Sequence, residues 1–160
     1  MPKSLTEDAV KQYREQGYYF LLKVIDDTRT AECRANLEAF EAAQGGPVHG
    51  DQTSKCCLLL PWVYELVSRT EVLDAVEDLI GPDILRHYSK INMKPPEIGS
   101  VVEWHQDLSY YPLTNRDSLA ILLYLDDADT TNGCLKVIPG RQNDPLMCHS
   151  RNGFFCGMVT

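Results

Sequence analysis

The feature that most constrains the fold is a change of period at Gly81-Pro82. Before that dipeptide apolar residues recur at helical spacing; after it they alternate or run together in short stretches, as strands do. Ser4 with Glu7 fits a capping box, Leu5, Ala9 and Tyr13 share one helical face, and Gly17 can close the helix. The first 43 residues read as helical, interrupted by "YYFLLKVI" (18–25), whose aromatic and β-branched content suits a strand. A second helix starts at about Thr30, with Cys33, Leu37 and Phe40 on one face, and stops before "QGGP". Residues 44–54 read as a loop. Pro61 then suits a first helical turn, Thr70 can cap another helix, and Val72, Val76 and Leu79 make its apolar stripe.

Beyond the breakpoint, "ILRHYSKINMK" (84–94), "VVEWHQD" (101–107), "SLAILLYLDD" (118–127) and "CLKVIPG" (134–140) read as strands. They are separated by "PPEIGS", "YYPLTNR" and an Asn132-Gly133 turn. Helices first and strands later, without βαβ alternation, predict an α+β fold with an antiparallel sheet.

A length of 160 residues fits one domain, 1–160, with a real core. Hydrophobic residues at 44% and charged residues at 24% are those of a globular protein, and no apolar run is long enough for a membrane span. The polar N-terminus lacks the apolar core of an export signal, so the expected location is cytoplasmic. A net charge of -8 repels phosphate backbones and anionic lipid, which argues against nucleic acid and membranes as partners and leaves small molecules. The six Cys form no C-x-x-C pair, so reduced and mostly buried thiols are expected.

The chemistry centres on His105 and Asp107. On a strand these two side chains point to the same side, where one imidazole and one carboxylate can chelate a single cation. Such a mixed set suits Fe(II), and two His with one carboxylate leave positions open for oxygen and a cosubstrate. On spacing alone a hydrogen-bonded pair at a strand end is the alternative. Trp104 faces the opposite side and is expected in the core. His87 reads as a satisfied structural histidine that could also line a pocket.

The flanks carry more information than the tripeptide. The run "HQDLSYYPLTNRDSLAILLYLDDADTTNGCLKVIPG" resembles the phytanoyl-CoA dioxygenase family of Fe(II)- and 2-oxoglutarate-dependent oxygenases. "LTEDAVKQYREQGYYFL" is similar to that family's N-terminal helix and strand, and "LIGPDI" with "INMKPP" to its approach to the metal strand. The resemblance covers nearly the whole chain. It implies helices packed on a double-stranded β-helix, or jelly roll, with His105 and Asp107 as catalytic metal ligands. Fe(II), 2-oxoglutarate and O2 are the implied cofactors, and oxidative decarboxylation of the cosubstrate is coupled to hydroxylation of a small organic substrate. Because halogenating relatives carry a small residue at the carboxylate position, Asp107 favours hydroxylation.

Four further residues are candidates on the same resemblance. Lys94, in "INMKPP", matches a lysine that binds 2-oxoglutarate in ectoine-hydroxylase-like relatives, and Lys55 lies near a cosubstrate-binding lysine of the phytanoyl-CoA branch. A cation is what the far carboxylate of 2-oxoglutarate requires. Tyr110 and Tyr111 stand where relatives carry aromatic walls of the substrate pocket.

Relatives place a second metal-binding histidine, and an arginine shortly after it, several tens of residues beyond H-x-D. Here only His149 follows the motif, in a loop where relatives carry a non-ligand histidine, and Arg151 stands close behind it. "VIPGRQN" also has Arg141-Gln142 in place of the usual Ser-His. The readable strands amount to about half of the jelly roll, so the expected domain is incomplete at its C-terminus. It is then either part of a longer product or a shortened chain that self-associates through exposed sheet edges. Three readings follow: a dioxygenase domain, a catalytically silent relative acting as a binding or interaction module, and a cupin-like metal protein completed by His149.

Overall fold

A computed structural model of the chain describes residues 1–20, 23–46, 55–94, 101–111 and 113–160. Most of the expected 44–54 loop, with His49 in it, and the 95–100 connection lie outside the described residues, as do Pro112 and two residues of the segment expected as a strand at 18–25.

Helix α1 spans Glu7–Gln16. Its N-cap is Thr6, two residues after the expected Ser4: the Thr6 Oγ1 accepts from the Ala9 N–H at 3.1 Å. The Ser4 N–H has a different use, because Asp78, far along the chain, accepts from the backbone of Lys3, Ser4 and Leu5 at 2.6–2.9 Å. Gly17 closes α1 as expected, at φ 80°, with its N–H on the Tyr13 carbonyl. Helix α2 (Asp27–Ala43) starts three residues earlier than the sequence reading placed it, because Asp26 caps it through the Arg29 N–H at 2.7 Å. Cys33 and Leu37 form its buried stripe.

Helix α3 (Cys56–Leu59) is a single turn the sequence reading missed, α4 (Pro61–Val67) opens on Pro61, and α5 spans Thr70–Ile80. Thr70 is the first residue of α5 and does not cap it. Two apolar clusters result. Leu5, Ala9 and Val10 of the α1 region meet Ala75 of α5, with Tyr19 and Leu79 at the margin. Cys56, Cys57, Leu60 and Val63 meet Phe40, Trp62, Val67 and Ile91. Full burial of each larger apolar side chain contributes about 1.5–3 kcal/mol, which is what orders these short helices. Among the described residues no helix is long and apolar enough to cross a membrane.

The second half departs from expectation. Among the described residues the one β-ladder is a hairpin of β1 (Ser150–Arg151) and β2 (Phe154–Phe155), with Ser150 opposite Phe155 and Arg151 opposite Phe154. The four segments expected as strands, 84–94, 101–107, 118–127 and 134–140, carry no ladder, and neither do the described residues of 18–25. Several of their backbone groups bond elsewhere. The Leu135 N–H donates to the Tyr124 hydroxyl at 3.0 Å, joining two expected strands through a side chain. The Gly140 N–H caps the Gln16 carbonyl of α1, and just beyond that segment the Gln142 side-chain amide donates to the Arg14 carbonyl. The Asn132-Gly133 turn forms, with Gly133 at φ 88°. Ile121, Leu122, Leu135, Val137 and Ile138 stand exposed, so what this half presents is apolar side chain where sheet edges were expected.

All six cysteines are free; Cys33, Cys56 and Cys57 are buried, whereas Cys148 and Cys156 are exposed. Trp104 is also a correction: it is 52% exposed and outside the core.

Candidate metal centre

His105 and Asp107 sit at the end of an extended segment. Gln106 between them is extended at φ −109°, ψ 123°, which turns its side chain away from both neighbours. The alternation read from the sequence therefore holds at this step, although Asp107 opens a 3-10 turn, Asp107–Tyr110, where a strand was expected to end.

The His105 Nδ1 lies 2.7 Å from the Glu103 carbonyl. A carbonyl only accepts, so Nδ1 carries the proton and, in the neutral ring, Nε2 presents a lone pair. That lone pair lies 3.2 Å from Asp107 Oδ1. Two acceptors at this separation need a positive centre between them, either a proton on Nε2 or a cation. Two donors about 2.1 Å from one cation and at right angles stand about 3.0 Å apart, so the pair fits two adjacent positions on one ion. His105 is mostly covered and Asp107 mostly exposed, which leaves the carboxylate side open. Among the described residues no group of three or more His, Cys, Asp or Glu side chains could hold a metal.

Aromatic rings line one side. Tyr110 meets His105 edge-on at 5.5 Å and Phe155 of β2 at 5.1 Å, and its hydroxyl donates to the Gly157 carbonyl at 2.6 Å. Tyr111 meets His87 edge-on at 4.9 Å and Tyr88 at 6.3 Å. Burial first, and then the Asp107 carboxylate, pushes the Tyr111 phenol above its ordinary value, which puts Tyr111 within electrostatic reach of the pair. His87 is thus a ring neighbour of Tyr111 on an exposed segment.

The lysines are not gathered here. Lys94 is exposed and its Nζ donates to the Gly133 carbonyl at 3.0 Å. Lys55 is the left-handed residue that starts α3, φ 60°, with its N–H on the Ser89 carbonyl. Neither hydrogen-bonds to His105 or Asp107.

His149 was read as a possible third ligand, and the structure commits both its nitrogens elsewhere. It is 5% exposed; its Nε2 accepts from the Gln106 N–H at 2.9 Å and its Nδ1 lies 2.9 Å from the Met147 carbonyl. Gln106 adds two bonds to the same loop, from its amide to the Pro145 carbonyl and from the Met147 N–H to its Oε1. The Val159 N–H reaches the Trp104 carbonyl at 2.8 Å. The sequence reading passed over Gln106 altogether. It also passed over Asn152-Gly153, the two-residue turn signal that announces the hairpin holding Phe155.

A family profile described as phytanoyl-CoA dioxygenase (PhyH) matches residues 4–154. The chain belongs to the phytanoyl-CoA dioxygenase family. Within curated proteins it is 36% identical over 100 residues to the "Probable alpha-ketoglutarate-dependent hypophosphite dioxygenase" of Stutzerimonas stutzeri, covering 61% of this chain and 35% of that protein. It is 26% identical over 147 residues to L-proline trans-4-hydroxylase of Streptomyces griseoviridis, covering 85% and 55%. With ectoine dioxygenase of Bordetella bronchiseptica it shares 25% identity over 160 residues, covering 91% and 52%. The matches thus span between about a third and just over half of these relatives' own lengths. No solved structure is significantly similar to the chain. In this PhyH chain the H-x-D pair, its aromatic flank and the V-I-P-G loop all fall inside the matched region.

Proposed function

We propose that this chain is part of an Fe(II)- and 2-oxoglutarate-dependent dioxygenase that hydroxylates a small organic molecule, with His105 and Asp107 as two of the iron ligands. The observation that carries the reading is the 3.2 Å approach of His105 Nε2 to Asp107 Oδ1, in a PhyH-family chain, with Nδ1–H already donating to the Glu103 carbonyl. The Glu103 carbonyl holds the ring and selects the tautomer whose Nε2 can ligate. Asp107 supplies the anionic donor from the open side. Iron bound with 2-oxoglutarate and O2 would supply the oxidising power, one oxygen atom entering succinate as CO2 leaves and the other entering a substrate C–H bond.

Lys94 and Lys55 are the candidates for the far carboxylate of 2-oxoglutarate, each as an exposed cation that would have to turn toward it. Tyr111 and Tyr110 would wall the substrate: Tyr111 lies within electrostatic reach of Asp107, and Tyr110 packs on His105. The relatives are named for hypophosphite, L-proline and ectoine, so family membership leaves the substrate open within small molecules.

A second reading, a catalytically silent relative that serves as a binding module, is favoured by His149, whose two nitrogens are both committed to backbone groups within the protein. Anaerobic Fe(II) titration with 2-oxoglutarate separates the two. The dioxygenase reading expects a visible metal-to-ligand charge-transfer band that is lost in His105→Ala; no band in the wild-type chain rejects an iron site built from this chain's residues alone and favours the silent relative.

A further inference from the structure

We infer that His149 is a positioning residue for the candidate metal pair, acting through the backbone of Gln106 and not as a ligand. The inference rests on the metal reading above. His149 is the one buried polar or charged residue among those described, so its hydrogen bonds must be satisfied within the protein. They are: the Gln106 N–H can only donate, which puts the lone pair on Nε2, and the Met147 carbonyl can only accept, which puts the proton on Nδ1. The ring is thereby held in one tautomer with no lone pair left for a cation.

The Gln106 N–H belongs to the rigid peptide plane that joins His105 to Gln106. Holding that N–H limits rotation about the His105 Cα–C and Gln106 N–Cα bonds, and with it the direction in which His105 projects relative to Asp107. The Gln106 side chain grips the same loop at Pro145 and Met147, and the Val159 N–H fixes the preceding carbonyl at Trp104. The segment carrying the pair is therefore pinned by residues roughly 40 to 55 positions later in the chain.

Zn(II), which takes imidazole and carboxylate donors and has no redox chemistry of its own, is the probe. Long-range 15N–1H spectra of the wild-type 160-residue chain during Zn(II) titration should show the His105 Nε2 resonance moving while His149 keeps the pattern of its Nδ1–H tautomer. Movement of both nitrogens would make His149 a ligand and overturn the inference; no movement of His105 would overturn the metal reading and this inference with it. His149→Ala should weaken Zn(II) binding measurably but by less than the about 10- to 100-fold that follows loss of a ligand's direct outer partner, because it acts through one intervening peptide. His149→Gln, whose Oε1 can accept from the Gln106 N–H, should recover most of that loss. Unchanged affinity in a folded His149→Ala chain, or no recovery in a His149→Gln chain as helical as wild type, would overturn it. If His149→Ala does not fold, the wild-type spectra and His149→Gln decide.

Discussion

Residues 7–80 and residues 84–140 differ in where their backbone partners come from. In the first region helical N–H groups find carbonyls three or four residues back or, at the helix starts, nearby capping oxygens, so order is reached at low loop-closure cost and needs only a modest apolar face to hold it. In the second, every expected ladder needs a partner strand elsewhere in the chain, and among the described residues those ladders are absent. What holds the candidate site is instead a handful of long-range side-chain bonds, from Gln106, His149 and Tyr110. One region is stabilised by repetition, the other by single clamps.

That contrast can be broken most directly by truncating one side chain from each region. Leu66→Ala, at a site 5% exposed in α4, should cost about 2–4 kcal/mol in urea unfolding followed by helicity. Ile138→Ala, at a site 60% exposed, should stay within about 0.5 kcal/mol. Equal losses would mean that residues 134–140 are packed as firmly as α4.

Next in size is Asp78→Asn, expected to cost about 1–2 kcal/mol near neutral pH through its three backbone donors. Burial raises the Asp78 carboxyl, but the Leu5, Lys3 and Ser4 N–H groups and the Lys3 charge outweigh it, so its pKa is lowered on folding. A carboxyl lowered on folding gives stability that is present above its unfolded value, about 3.9, and is lost as pH falls through the folded one. The variant should therefore lose less stability than wild type on acidification below about pH 4, measured by urea midpoints across pH.

Thr6→Ala, which removes the α1 cap, should cost about 1 kcal/mol. Smallest is Gln142→Ala, about 0.5 kcal/mol, because its bond to the Arg14 carbonyl is exposed. A larger Gln142 effect than Thr6 effect, by the same urea assay, would show the 140–142 loop to be an integral part of the helical half.

What was legible in the sequence follows the same division. Gly17 as a cap, the Cys33 and Leu37 stripe, Pro61 at a helix start and the end of α5 at Gly81 are local events, written within a few residues of where they act. Thr6 caps in place of Ser4, and the Ser4 N–H that the expected box would give to Glu7 goes instead to Asp78, more than seventy residues away, which no local pattern carries. The closeness of His105 to Asp107, 3.2 Å across one residue, was legible because two-residue alternation is also local, whereas the metal reading of the pair came from the resemblance. The support of the pair was not legible, since Gln106 and His149 are 43 positions apart and each reads as an ordinary polar residue until the chain is folded.

Gly157 gives the clamp architecture a consequence in mutational space. At φ 69° it holds a conformation that side chains resist, and the space a Cβ would enter is already filled by the Tyr110 hydroxyl. In a saturation library scored for folded chain, position 157 should favour glycine, with Asn and Asp next and β-branched residues worst, whereas exposed Ser150 a few residues earlier should accept most substitutions. A single small residue near the C-terminal end is thus the footing on which the ring beside His105 stands.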